Sequence, residues 1–177
     1  MSRYSQRLFV GQSVSQFGKA GAPEMITKVD AFTATNASYV VPEGVTYMVA
    51  YIRGGGGGVG SSGAGAGGTS SVAFASGTIS ATGGPAWNDG NLNQNFSKTA
   101  GTTNSGNGAT MCGDYSGVTG YTQSNAAQDG ALITAGGAVT AGATLAVTVG
   151  AGGTAAAGAS GAAGGSGYVY LEYQVKA

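Results

Sequence analysis

The chain has 177 residues, and 36 of them are glycine, about a fifth of the chain against a usual share of roughly 7%. Charged residues make up 8% and the formal net charge is zero, so no strong field steers the protein to nucleic acid or into an anionic membrane surface. A single cysteine, Cys112, and the lack of histidine exclude an internal disulfide and the usual Cys/His zinc sites.

Residues 1–30 have ordinary composition and carry four of the seven basic side chains, Arg3, Arg7, Lys19 and Lys28. They read as an N-terminal extension or as an arm for docking and assembly. The candidate contacts of such an arm are Arg3, Tyr4, Arg7, Phe9 and Phe17. No apolar stretch of signal-peptide or membrane-spanning length occurs, so synthesis in a cytoplasm without export is the expectation.

From Ala31 the apolar residues gather into short runs separated by glycine, the layout of strands and connections rather than of a flexible polymer. Phe32–Thr35 and Ser38–Val41 read as strands, and Pro42-Glu43-Gly44 as a turn in which proline presets φ. In Val45–Arg53, Tyr47, Val49 and Tyr51 share one face while Met48, Ala50 and Ile52 share the other. Apolar members on both faces predict a central strand buried on both sides.

Gly54–Gly68 is a glycine tract, and further β-like residues surround Val72 and Phe74. Residues 83–130 form the longest irregular stretch, rich in Asn, Gly, Ser and Thr. They hold the sole tryptophan, Trp87. Order resumes at Ala131–Thr134, and Thr144–Val149 alternates as a strand. Gly150–Gly167 repeats the glycine chemistry, and Tyr168–Val175 closes the chain as a terminal strand. No segment keeps a 3.6-residue apolar period over three turns. The fold predicted is all-β, with residues 31–177 as one glycine-rich domain.

Glycine tracts between strands have a physical use. Lacking Cβ, they let backbones approach closely in extended conformations such as polyproline II. At roughly 3.1 Å per residue in that form, the five glycines from 54 to 58 would reach about 15 Å. Neighbouring tracts of this kind can pair their amides.

Several motifs imitate chemistry. Gly150-x-Gly152-x-x-Ala155 with Glu172 downstream has the spacing of a dinucleotide fingerprint, but glycine interrupts the helix that the mechanism needs. Gly54–Gly58 lacks the Gly-Lys-Ser/Thr of a phosphate loop. Asp89, Asp114 and Asp129 share the long stretch and suggest a carboxylate pair or a calcium site. Asp89-Gly90 and Asp129-Gly130 read more simply as turn dipeptides. Trp87, Tyr115 and Tyr121 are candidate receptor contacts, able to stack on sugars or to anchor the long stretch to the domain. No catalytic, cofactor or metal set is predicted, and Cys112 has no basic neighbour in sequence to activate it.

The order of segments resembles the glycine-rich domain of bacteriophage tail-fibre and virion surface proteins. The residues that carry the likeness are Val41-Pro42-Glu43-Gly44-Val45 leading to Gly54–Gly58, then Val147-Thr148-Val149-Gly150-Ala151-Gly152-Gly153, then Gly167-Tyr168-Val169-Tyr170-Leu171. It spans about residues 31–175, and the 83–130 stretch departs from the compact pattern. The resemblance implies a jelly-roll-like β-sandwich with glycine loops at one end. It also implies a non-enzymatic virion protein of tail fibre, tip or short capsid-surface fibre, acting in assembly and host attachment with other virion proteins as a homotrimer. An adhesin binding a host surface glycan through residues 83–130 and a capsid decoration protein are the alternatives.

Overall fold

The computed structural model describes residues 24–60, 62–88, 97–114, 122–156 and 161–177, which form strands and no helix. In chain order the strands are β1 (Met25–Phe32), β2 (Asn36–Val40), β3 (Tyr47–Arg53), β4 (Val59–Gly60), β5 (Ser70–Phe74), β6 (Gly77–Ala81) and β7 (Trp87–Asn88). They continue with β8 (Ser97–Thr99), β9 (Thr110–Asp114), β10 (Thr122–Ala126), β11 (Leu132–Ala138), β12 (Thr144–Thr148), β13 (Gly161–Ala162) and β14 (Tyr168–Lys176).

Eight of these make a sandwich. One sheet has the order β1-β14-β3-β11 and the other β2-β12-β5-β6, with every neighbouring pair antiparallel. Counting only these eight, the orders are 1-8-3-6 and 2-7-4-5, the double Greek-key wiring of a jelly roll. The period-two pattern of each strand aims one set of side chains between the sheets. Met48, Ala50 and Ile52 of β3 meet Val169 and Leu171 of β14 there, facing Val72 and Phe74 of β5 and Leu145 and Val147 of β12. Each large aliphatic side chain fully buried in this way contributes about 1.5–3 kcal/mol.

The turn into β3 forms as the sequence dictates. The Val45 N–H donates to the Pro42 carbonyl at 3.3 Å, and Gly44 takes a positive φ of 77° that a side chain would oppose. Between the sheets, Asp30 of β1 ties them together. Its Oδ2 accepts from Tyr39 of β2 at 2.6 Å and from Tyr173 of β14 at 3.0 Å. Burial and this carboxylate hold both phenols above their ordinary range.

Four details depart from the sequence reading. The sandwich begins at Met25, so the last residues of the expected arm are the edge strand β1. Strand β3 is fully buried on one face only, because nothing among the described residues covers Tyr47, which is 55% exposed, and Val49, Tyr51 and Arg53 beside it are half-buried. The 83–130 stretch is not structureless where it is described, since β7–β10 lie within it. Asp129-Gly130 makes no turn. Gly130 has no positive φ and donates to the Gly106 carbonyl at 2.8 Å.

Candidate functional site

Register places six glycine-rich segments at one end of the sandwich. Arg53, where β3 ends, pairs with Leu132 and Tyr168, where β11 and β14 begin. Ser70 at the start of β5 pairs with Ala81 at the end of β6, and Ser71 with Thr148 at the end of β12. The chain therefore leaves the sheets in a shared direction after β3, β6 and β12. It returns from that direction before β5, β11 and β14.

Residues 54–58 run up the centre of these segments, and every one of the five is buried. Their N–H groups donate in rotation to three neighbours. Gly54 and Gly57 donate to Ala131 and Gln128, Gly55 and Gly58 to Gly68 and Gly65, and Gly56 to Gly165, at 2.8–3.0 Å. Their carbonyls accept from three other segments: Gly55 and Gly58 from Gly84 and Trp87, Gly56 from Gly153, and Gly57 from Ala109. Each partner recurs every third residue, the repeat of a polyproline II helix.

The other five segments and a sixth, residues 106–109, surround residues 54–58, bond to one another and close a ring. Gly65 and Gly68 donate to Thr154 and Ala151, and Gly67 to Gly84. Gln128 and Ala131 donate to Pro85 and Thr82, and Ala127 and Gly130 to Ala109 and Gly106. Gly165 donates to Asn107, and Gly164 and Gly167 to Gly153 and Gly150. The tracts are thus not loops. They form a seven-segment bundle in which six backbones surround one.

Only glycine permits this spacing. A Cβ on Gly54 or Gly57 would land on the Thr82 or Pro85 carbonyl, on Gly55 or Gly58 on that of Ala151 or Thr154, and on Gly56 on that of Asn107. None of residues 54–58 has a positive φ. The missing side chain is what matters here, not conformational licence. Residues that do carry a side chain, such as Ala66, Thr82, Pro85, Gln128, Ala151 and Thr154, lie on the exposed outside.

Side chains stitch the bundle to the sandwich and to itself. Ser70, fully buried, donates to the Arg53 carbonyl at 2.6 Å and accepts the Gly150 N–H at 2.9 Å. Asp129 accepts from Arg53 and from the Gly108 N–H, both at 2.8 Å. Asn88 imitates a strand, accepting the Ala64 N–H at 2.8 Å and donating to the Ala64 carbonyl at 3.2 Å.

Trp87 is half-buried against a small second core of Val59, Ala109, Ala127 and Ala162, and its backbone N–H is the one received by Gly58. One side of the ring thus packs on the bundle. Tyr115 and Tyr121, its companions among the candidate receptor contacts, lie outside the described residues, as do Arg3, Tyr4, Arg7, Phe9 and Phe17. Asp129 is committed to Arg53, Asp114 ends β9, and Asp89 is not among the described residues. No group of three His, Cys, Asp or Glu side chains converges among the described residues.

Sequence reasoning missed the bundle partners and a second feature, the outer face of the β1-β14-β3-β11 sheet. Cross-strand register brings Tyr47, Val49 and Tyr51 of β3 beside Tyr168, Tyr170 and Glu172 of β14, with Leu132 of β11 and Met25 and Val29 of β1 at the flanks. Tyr168 and Tyr170 stack with centroids 4.8 Å apart. Glycine at a spacing of three, as in 65/68, 150/153 and 164/167, is the signal that reveals the bundle.

No protein-family model matches the chain, and no curated protein and no solved structure matches it either.

Proposed function

We propose that this chain is a non-enzymatic structural protein of a bacteriophage virion, a tail-fibre, tip or short surface-fibre subunit acting in particle assembly and host attachment. The observation that carries the reading is the seven-segment glycine bundle projecting from the sandwich. It is held by backbone hydrogen bonds that need neither a large apolar core nor charge, which suits an extension exposed to varied media. The low charge of the chain also suits a subunit that stays in a permanent assembly. The order of segments resembling virion surface domains points the same way.

The test is location and activity. Antibodies raised against the purified chain should decorate one fixed position on phage particles in micrographs, and the purified protein should compete with particle adsorption. Absence from particles, or release of reducing sugar from a host polysaccharide, would overturn the proposal. Replacing Trp87, Tyr115 and Tyr121 by alanine separates two roles. Assembled particles that no longer adsorb would mean glycan-binding adhesion by the 83–130 region, whereas loss of assembly means scaffolding.

A further inference from the structure

We infer that the tyrosine-bearing outer face of the β1-β14-β3-β11 sheet is the docking surface for residues 1–23 of a second copy of this chain. The inference rests on the assembly reading above and names the surface that assembly uses.

The face is built for contact. Tyr47 and Leu132 are 55% and 56% exposed, and Val29 and Met25 are nearly as open, while Tyr51, Tyr168 and Tyr170 are half-buried around them. Protein interfaces are enriched in aromatic residues and poor in lysine. Here the only lysine in register on this face is Lys176, at its base corner opposite Met25. Beside that corner is a cavity of about 290 Å³ lined by Met25, Tyr47, Val49, Glu172 and Gln174. Glu172 accepts only a long 3.5 Å bond from Tyr51 and pairs with no cation among the described residues.

Size argues against a bare face-to-face pairing. Four strands at about 4.8 Å and seven residues at about 3.3 Å give roughly 440 Å², half of the roughly 800 Å² per partner that stable interfaces bury. A peptide segment laid across it supplies what two flat faces lack. Residues 1–23 carry Arg3, Arg7 and Lys19 and no acidic side chain, with Tyr4, Phe9 and Phe17 between them. Arginine suits both tyrosine rings and the Glu172 carboxylate, and a phenyl ring suits the cavity.

The point of attachment lies at an edge of the face, open to an adjacent copy. Strand β1 runs from Met25 at the base toward the bundle, with Glu24 still held by the Ala177 N–H at 2.8 Å. The attachment point of residues 1–23 is therefore the base edge of the sheet, on its outermost strand. Fully extended, 23 residues span up to about 83 Å, more than enough to reach an adjacent copy. Exchange of arms around a closed ring would satisfy every face.

The experiment places p-benzoylphenylalanine at position 47 of the full chain, mixes light and heavy isotope-labelled chains, refolds them together and irradiates. Cross-links from position 47 to peptides of residues 1–23 should join light to heavy chains in about half the products. Links within a single chain, links to other peptides, or none would overturn the inference. In parallel, the full-length F9S/F17S variant should associate at least tenfold more weakly by sedimentation while keeping the Trp87 fluorescence of the folded bundle. Unchanged association would also overturn it. Particle location is read separately, so a subunit found on virions with no arm cross-links would reject this inference alone.

Discussion

Substituting alanine for Gly56 adds one methyl group at the centre of the bundle. That Cβ would coincide with the backbone of Asn107 and Gly108, which cannot rotate aside as a side-chain tip can. Overpacking of this kind costs about 1–3 kcal/mol. Relief by moving the segments breaks the bonds from Gly56 to Gly165 and from Gly153 to Gly56, both 2.8 Å. Each buried group left unpaired costs about 1–3 kcal/mol. The sum is about 4 kcal/mol or more, a large part of the roughly 5–15 kcal/mol that holds an ordinary domain.

Gly142→Ala is the control. Gly142 has a positive φ of 76° and open space where a Cβ would lie, so only backbone strain of about 1–2 kcal/mol is added. Urea unfolding followed by Trp87 fluorescence reports on the bundle directly, because the Trp87 backbone N–H is bonded to Gly58. With a slope of about 2 kcal/mol per molar, G56A should lower the midpoint by about 2 M. A shift no larger than that of G142A would refute the close-packed account.

Ser70→Ala should cost about 2–4 kcal/mol, since it strips a partner from both the Arg53 carbonyl and the Gly150 N–H at a fully buried position; chemical denaturation measures it. Asp129→Ala should cost about 1–3 kcal/mol, because it orphans the Gly108 N–H and takes the carboxylate from Arg53, whose side chain is only 18% exposed, while Asp129 itself is 54% exposed. Alkaline titration tests the contact of Asp30 with Tyr39 and Tyr173. The Tyr39 and Tyr173 phenols are held above their ordinary value by burial and by Asp30, so the folded chain binds more protons than the unfolded one above about pH 10. That stability is complete below about pH 10 and is lost as pH rises past it, and Tyr39→Phe should make the alkaline loss shallower.

The strands were largely legible from sequence because their code lies in side chains, whereas the sandwich they form was expected only from the resemblance. The alternation of Met48, Ala50 and Ile52 against Tyr47, Val49 and Tyr51 sets the inner and outer faces of β3, and Pro42-Glu43-Gly44 marks the turn before it. The exposure of the outer face was not legible, since apolar side chains on both sides of a strand do not say whether a second layer is present. Strand β1 was hidden by its mixed composition, with Lys28 and Asp30 among apolar residues. For the glycine tracts, sequence indicated close backbone contact but not its partners. A residue without a side chain carries no hydrophobic period, and the three-residue rule shows only in where glycine is obligatory and where Ala, Thr or Gln is tolerated on the outside.

Amide hydrogen exchange at residues 54–58 tests the central claim most directly. Five buried N–H groups bonded in rotation to three neighbours should exchange only with global unfolding, as slowly as Ala50 and Leu171 in the sandwich core. Exchange of these glycines within minutes, while the β3 and β14 amides stay protected, would contradict a bundle that is part of the folded core.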